Sequence, residues 1–314
     1  MINRILIRIK VLQMAYACYQ SGGVDIKVAE NELLLSLQRS YDLYYYFLLL
    51  IVEVTRLQER RLETRKNKYR PSEDELSPNT RLVENRFALQ VQANETLRKY
   101  VKDHGISWAS ESDFVKQTLE RILESDVYRA YLECSEDSYE TDREFWRSVF
   151  RKLICGNTVL EEALEDMCIY WNDDVDIIES FVIKTIKRFD ESAGSKQELM
   201  PMYKDEEDRE FAVTLFRQAL LHGDEYRKRI GHYLENWESE RVANMDLVIM
   251  QVAIAEIMHF PKIPVNVTLN EYIDAAKYYS TPKSSTFING ILESVIQDLK
   301  KENSMLKQQD ILYL

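Results

Sequence analysis

Eight glycines and six prolines are spread through 314 residues, and this scarcity limits the fold more than any other feature of the chain. A sheet protein of this length needs a tight turn about every ten residues, and most of those turns need Gly or Pro. The chain cannot supply them, so the fold class is all-α. The same scarcity counts against nucleotide enzymes. No G-x-G-x-x-G or G-x-x-x-x-G-K-[ST] run is present to bring backbone N–H groups onto a phosphate. With 45% hydrophobic and 30% charged residues, the chain is neither disordered nor fibrous and can bury one large core or two ordinary ones.

Cys18, Cys134, Cys155 and Cys168 form no C-x-x-C pair and have no His at ligand spacing. They read as reduced core thiols, with neither a metal site nor a disulfide framework. The longest apolar run, Leu43 to Val52, is ten residues long and contains three tyrosines. A membrane span needs ~20. No small-residue cleavage site follows the basic start of the chain, so the expectation is a cytoplasmic protein without a membrane partner. Net charge is -12, which taken alone argues against nucleic acid. The charge is unevenly distributed, however. Residues 1–23 hold three cations and no acid, and screening confines each charge to about 10 Å, so a local basic face can still bind phosphate.

Periodicity predicts a first helix over 3–20 with Ile5, Ile9, Leu12 and Tyr16 on one apolar stripe, closed by Ser21-Gly22-Gly23. A long helix or broken pair follows over 28–68, aromatic first and then basic. Its run of Arg56, Arg60, Arg61, Arg65, Lys66, Lys68 and Arg70 reads as a solvated face, with RNA contact the sharper alternative. Residues 71–78 and 193–201 read as linkers. Further helices are expected at 81–103, 111–133, 140–154, 158–190, 206–222, 224–237, 243–259, 268–279 and 282–301, with Asp224 and Thr268 as N-caps and Pro282 in a first turn.

Three ordered motifs stand in the last third: Trp237-x-x-x-Arg241-x-x-Asn244-x-Asp246 followed by Ile249, Ala253, Glu256 and Ile257; Pro264 through Tyr272 followed by Ala275-Ala276-Lys277-Tyr278-Tyr279; and Ser284-Ser285-Thr286-Phe287-Ile288-Asn289-Gly290-Ile291-Leu292. Together they resemble the NusB family of transcription antitermination factors. Arg4, Arg8 and Leu12-Gln13-x-x-Tyr16 resemble that family's opening helix. The resemblance covers 1–23 and 205–302. It implies a NusB-like double helical bundle, with 24–204 as an inserted helical domain and 303–314 as a tail. The chain departs from the family at Lys283, where an acid is usual, and at Gln251, where Arg is common.

The resemblance also implies a function: binding of boxA-type leader RNA together with the ribosomal protein NusE, within an RNA polymerase elongation complex, to prevent premature termination of rRNA transcription. Cations at a helix N-terminus oppose the helix dipole, so Arg4, Arg8 and Lys10 call for a phosphate partner. Gln13, Lys277, Ser285, Thr286 and Asn289 are the candidate polar groups for reading single-stranded bases, with hydrogen bonding to the neighbouring backbone the equal alternative for Asn289. Tyr16, Glu240 and Asp246 match the family's NusE-facing surface, although Asp246 could equally be a capping or ion-paired acid. Glu271 and Asn270 read as residues near a helix start, and Gly290 as a site of close helix approach. Trp237 reads as core.

The four histidines stand in no triad-like arrangement, and adjacent carboxylates such as Asp173-Asp174 diverge by about 100° on a helix. No enzyme, cofactor or metal site is expected. The alternative is a helical interaction scaffold with a NusB-like fold that does not bind RNA.

Overall fold

A computed structural model describes residues 1–23, 25–234 and 242–302. Among these the chain is helical, and the one extended pairing is a bridge between Ile2 and Tyr203. The helices are α1 (Arg4–Gln20), α2 (Ile26–Lys66), α3 (Glu73–Leu76), α4 (Arg86–Ala93), α5 (Glu95–His104), α6 (Ser112–Glu124), α7 (Asp126–Glu133), α8 (Tyr139–Val149), α9 (Thr158–Met167) and α10 (Val175–Arg188). After these come α11 (Glu206–Leu221), α12 (Gly223–Leu234), α13 (Asn244–His259), α14 (Val265–Tyr279) and α15 (Ser284–Lys301).

Several expected helices are broken by polar caps rather than by Gly or Pro. The Asn94 side chain accepts the Leu97 N–H at 2.9 Å and starts α5; the Ser125 hydroxyl accepts the Tyr128 N–H at 3.1 Å and starts α7. Each satisfies a donor that a new helix leaves free, so the chain can bend without a special backbone conformation. The stretch 158–190 divides at a 3-10 turn, Ile169–Trp171, where the Trp171 indole N–H donates to the Arg39 carbonyl at 2.7 Å. By contrast α2 runs unbroken, having neither Gly nor Pro.

The chain forms two compact units, one of Met1 with Gln38–Met202 and one of Ile2–Leu37 with the chain from Tyr203 onward. In the first, the Leu43–Val52 run of α2 is core: Tyr44, Tyr45, Phe47, Leu48 and Ile51 are buried. In the second, α13 is apolar nearly all round, as a central helix must be, and packs against α1, α11, α12, α14 and α15. The first turns of α2 belong to this unit, where Arg217 of α11 makes a two-pronged ion pair with Glu30 at 2.6 and 2.8 Å. All four cysteines are free and only half-buried, so they are less enclosed than core thiols. Among the described residues no helix is long and apolar enough to cross a membrane.

Candidate nucleic-acid interface

Asn3 caps α1 by accepting the Leu6 N–H at 2.9 Å. The core side of α1 is shifted from the expected stripe: Leu12 of that stripe is buried with Leu6, Ile7, Val11 and Ala15, whereas Ile5 is exposed and Ile9 and Tyr16 are half-buried. Two of the three cations turn inward with that face. Arg8 is 6% exposed and Lys10 wholly buried, which corrects the expectation that both lie open to phosphate. For Arg8 the reason is α1's position, packed on both α11 and α13.

Opposite Arg8, in the last turn of α13, stands the wholly buried Glu256. Arg8 Nε donates to Glu256 Oε2 at 2.8 Å and Nη2 to Oε1 at 2.9 Å. Thr268 Oγ1 donates to Oε1 at 2.8 Å and the Tyr272 hydroxyl to Oε2 at 2.9 Å. Each carboxylate oxygen thus accepts two bonds, the condition under which a buried charge is tolerated. Glu271 adds a second acid 3.4 Å from Arg8 Nη1. Burial works against the Arg8 charge, but the bond and attraction to Glu256 outweigh it and hold Arg8 above its ordinary value. Burial, together with the Glu256 charge, drives the Tyr272 hydroxyl well up. The Phe211 ring underlies both arginines, with guanidinium carbons 5.1 Å (Arg4) and 5.4 Å (Arg8) from its centre. Arg4 is half-exposed and donates to Asp208 at 3.0 Å.

The motif residues of α14 and α15 divide between support and surface. Helix α14 starts at Val265, earlier than expected, so Thr268 is a buried partner of Glu256 and not a cap, and Glu271 sits in the second turn facing Arg8. Helix α15 starts at Ser284, leaving Pro282 ahead of it. Asp246, 5% exposed in the first turn of α13, accepts hydrogen bonds from the Ser280 and Ser284 hydroxyls at 2.5 and 2.9 Å. It secures the α14–α15 turn from beneath, the capping role, and is not an open partner contact. Lys277 is exposed and paired with Asp274 at 2.7 Å. Thr286 is exposed, Gln13 and Ser285 are half-buried, and half-buried Asn289 donates to Glu293 at 2.8 Å. Glu240, Trp237, Arg241 and the 303–314 tail lie outside the described residues.

The close helix approach expected at Gly290 is found at another glycine. Gly290 is exposed, and a Cβ there would meet nothing within 4 Å, so no close helix approach explains it. The close approach is at Gly223, where a Cβ would lie 2.9 Å from Gln251 Nε2. Gln251, found where family members commonly carry Arg, is buried and bridges the Ala219 carbonyl at 2.7 Å and Arg227 Nε at 2.8 Å. Sequence reasoning also passed over Glu256 as the partner of Arg8, though a lone acid inside the apolar run 247–257 is itself a signal that a buried cation faces it. It missed Tyr278 too, an aromatic 85% exposed beside Lys277.

A model of the NusB family matches residues 173–297, a stretch that begins ahead of the return of the chain to the second unit. The transcription antitermination protein NusB of Salinibacter ruber is 32% identical over 132 residues, covering 40% of this chain and 82% of that protein. The protein of the same name from Koribacter versatilis is 43% identical over 98 residues, 31% of this chain and 67% of its own length. That from Natranaerobius thermophilus is 39% identical over 109 residues, 35% and 75%. The chain belongs to the NusB family.

Proposed function

We propose that the protein is a transcription antitermination factor that binds boxA-type leader RNA with NusE and joins the RNA polymerase elongation complex in the cytoplasm, acting by binding and not by bond-making. Family membership carries this reading, and one structural observation supports it. The polar motif residues that the core does not consume, Lys277 and Thr286, are exposed together with Tyr278, while Arg8 and Asp246 are occupied inside. Lys277 and half-exposed Arg4 meet phosphates. Gln13, Ser285, Thr286 and Asn289 read base edges, and the open ring of Tyr278 offers a stacking face. Arg8 acts from within by fixing α1 against α13, and Asp246 by fixing the turn between α14 and α15; Tyr16 and Glu240 meet NusE.

The test is RNA affinity against salt, by fluorescence anisotropy, with and without NusE. Lys277→Ala is expected to weaken binding and lower the salt slope by about one unit, and NusE to tighten it through shared contacts. A flat slope for the unaltered protein, with no gain from NusE, would favour the scaffold reading, to which the burial of Arg8 and Lys10 lends its weight.

A further inference from the structure

The unit built from Gln38–Met202 holds a groove of 960 Å³ that the function above does not use. One wall is a single face of α2, residues 49, 53, 56, 57, 60, 61, 64 and 65; the other is formed by residues from 101–109 and by α6. The α2 face runs for about 24 Å, the length of a helix of about 16 residues. Leu57 and Val101, both half-buried, lie in the floor, backed by Ile106, Val115 and Leu119.

The rim is cationic on a protein of net charge -12, with Arg56, Arg60, Arg61, Arg65, Lys68 and Lys116 lining it against Glu53 and Glu120. Both acids are already spent, Glu53 on Arg56 at 3.1 Å and Glu120 on Arg61 at 2.5 Å. Lys116 pairs with Asp113 at 2.8 Å, and Lys68 pairs with Glu75. Among the described residues, neither Arg60 nor Arg65 is within ion-pair distance of an acid, and both are exposed. The α2 dipole accounts for cations in its last turn, Arg65 and Lys66, but not for Arg56, Arg60 and Arg61 farther back.

We propose that this groove docks an acidic amphipathic helix of a partner protein, its apolar side on Leu57 and Val101 and its carboxylates on Arg60 and Arg65. A helix in a groove needs an apolar floor with charge at the edges, which is the arrangement here. Single-stranded RNA needs open rings for its bases. The aromatic side chain that lines the groove, Trp108, is 3% exposed with its N–H committed to the Tyr46 carbonyl at 2.8 Å.

The experiment titrates the full-length protein into three labelled probes: a peptide of about 16 residues with Leu and Glu at helical spacing, its scrambled isomer of equal charge, and a uridine-rich single-stranded RNA. The amphipathic peptide is expected to bind at least about tenfold tighter than the scramble, and R60E combined with R65E to weaken it by about tenfold or more. The doubly substituted protein should keep its circular dichroism and melting temperature, since both side chains are exposed. Equal binding of peptide and scramble would reduce the groove to an ion exchanger and overturn the proposal. So would failure of the peptide to bind, or an RNA that binds tighter than the peptide and is lost in the same variant.

Discussion

The Arg8–Glu256 pair shows how one buried contact can imitate a binding residue in sequence. A buried ion pair contributes little relative to well-packed apolar side chains, but removing one partner strands the other charge in the core. Arg8→Ala is expected to cost about 3–5 kcal/mol in urea denaturation. The double variant Arg8→Met with Glu256→Leu should lose less than the two single changes summed, because no unpaired charge remains. Once corrected for the folded fraction, RNA binding by Arg8→Ala should keep the unaltered salt slope, the opposite of the result expected for Lys277→Ala. The cationic character of the opening helix was legible in the sequence, but the side from which Arg8 is met was not. That depends on α13, which lies more than two hundred residues away in the chain.

Among the helices, the two glycines give the contrast that periodicity cannot. Gly290 is inside α15, exposed, with open space where a Cβ would go. Gly290→Ala should therefore raise stability by about 1 kcal/mol through helix propensity alone. Gly223→Ala, at the first residue of α12, gains less propensity and pushes a methyl group to 2.9 Å from Gln251 Nε2, which is held in place by its 2.7 Å bond to the Ala219 carbonyl. It should lower stability by about 1 kcal/mol or more, and thermal melts of the two variants, measured side by side, check the opposite signs. Helix existence followed from the sequence in most places, because an apolar face repeating every three to four residues has few other uses. Helix ends did not, since Asn94 and Ser125 act as caps only once the chain has bent there.

At the scale of the whole molecule, buried titratable groups tie stability to pH. Burial, helped by the nearby Asp176 and Glu161, pushes Glu179 of α10 from an ordinary 4.5 up to about 7. The folded chain thus holds a proton that the unfolded chain releases, so stability falls as pH rises from about 4.5 through about 7 and is level above that. Glu179→Gln should flatten the curve and leave the protein more stable at pH 8, by at most about 3 kcal/mol, as read from urea midpoints across that range. Burial and the neighbouring Glu179 raise the Cys155 thiol to about 12, so Cys155 should resist alkylation in the native protein at neutral pH. By itself, the sequence determined that the chain is helical, because it lacks the turn residues that sheets need, and that its last third carries the family's motifs. Tertiary structure decided which motif residues face water. The side of a helix that becomes core is chosen by the helices packed against it, and here α11 and α13 enclose Arg8 while leaving Lys277 and Tyr278 exposed.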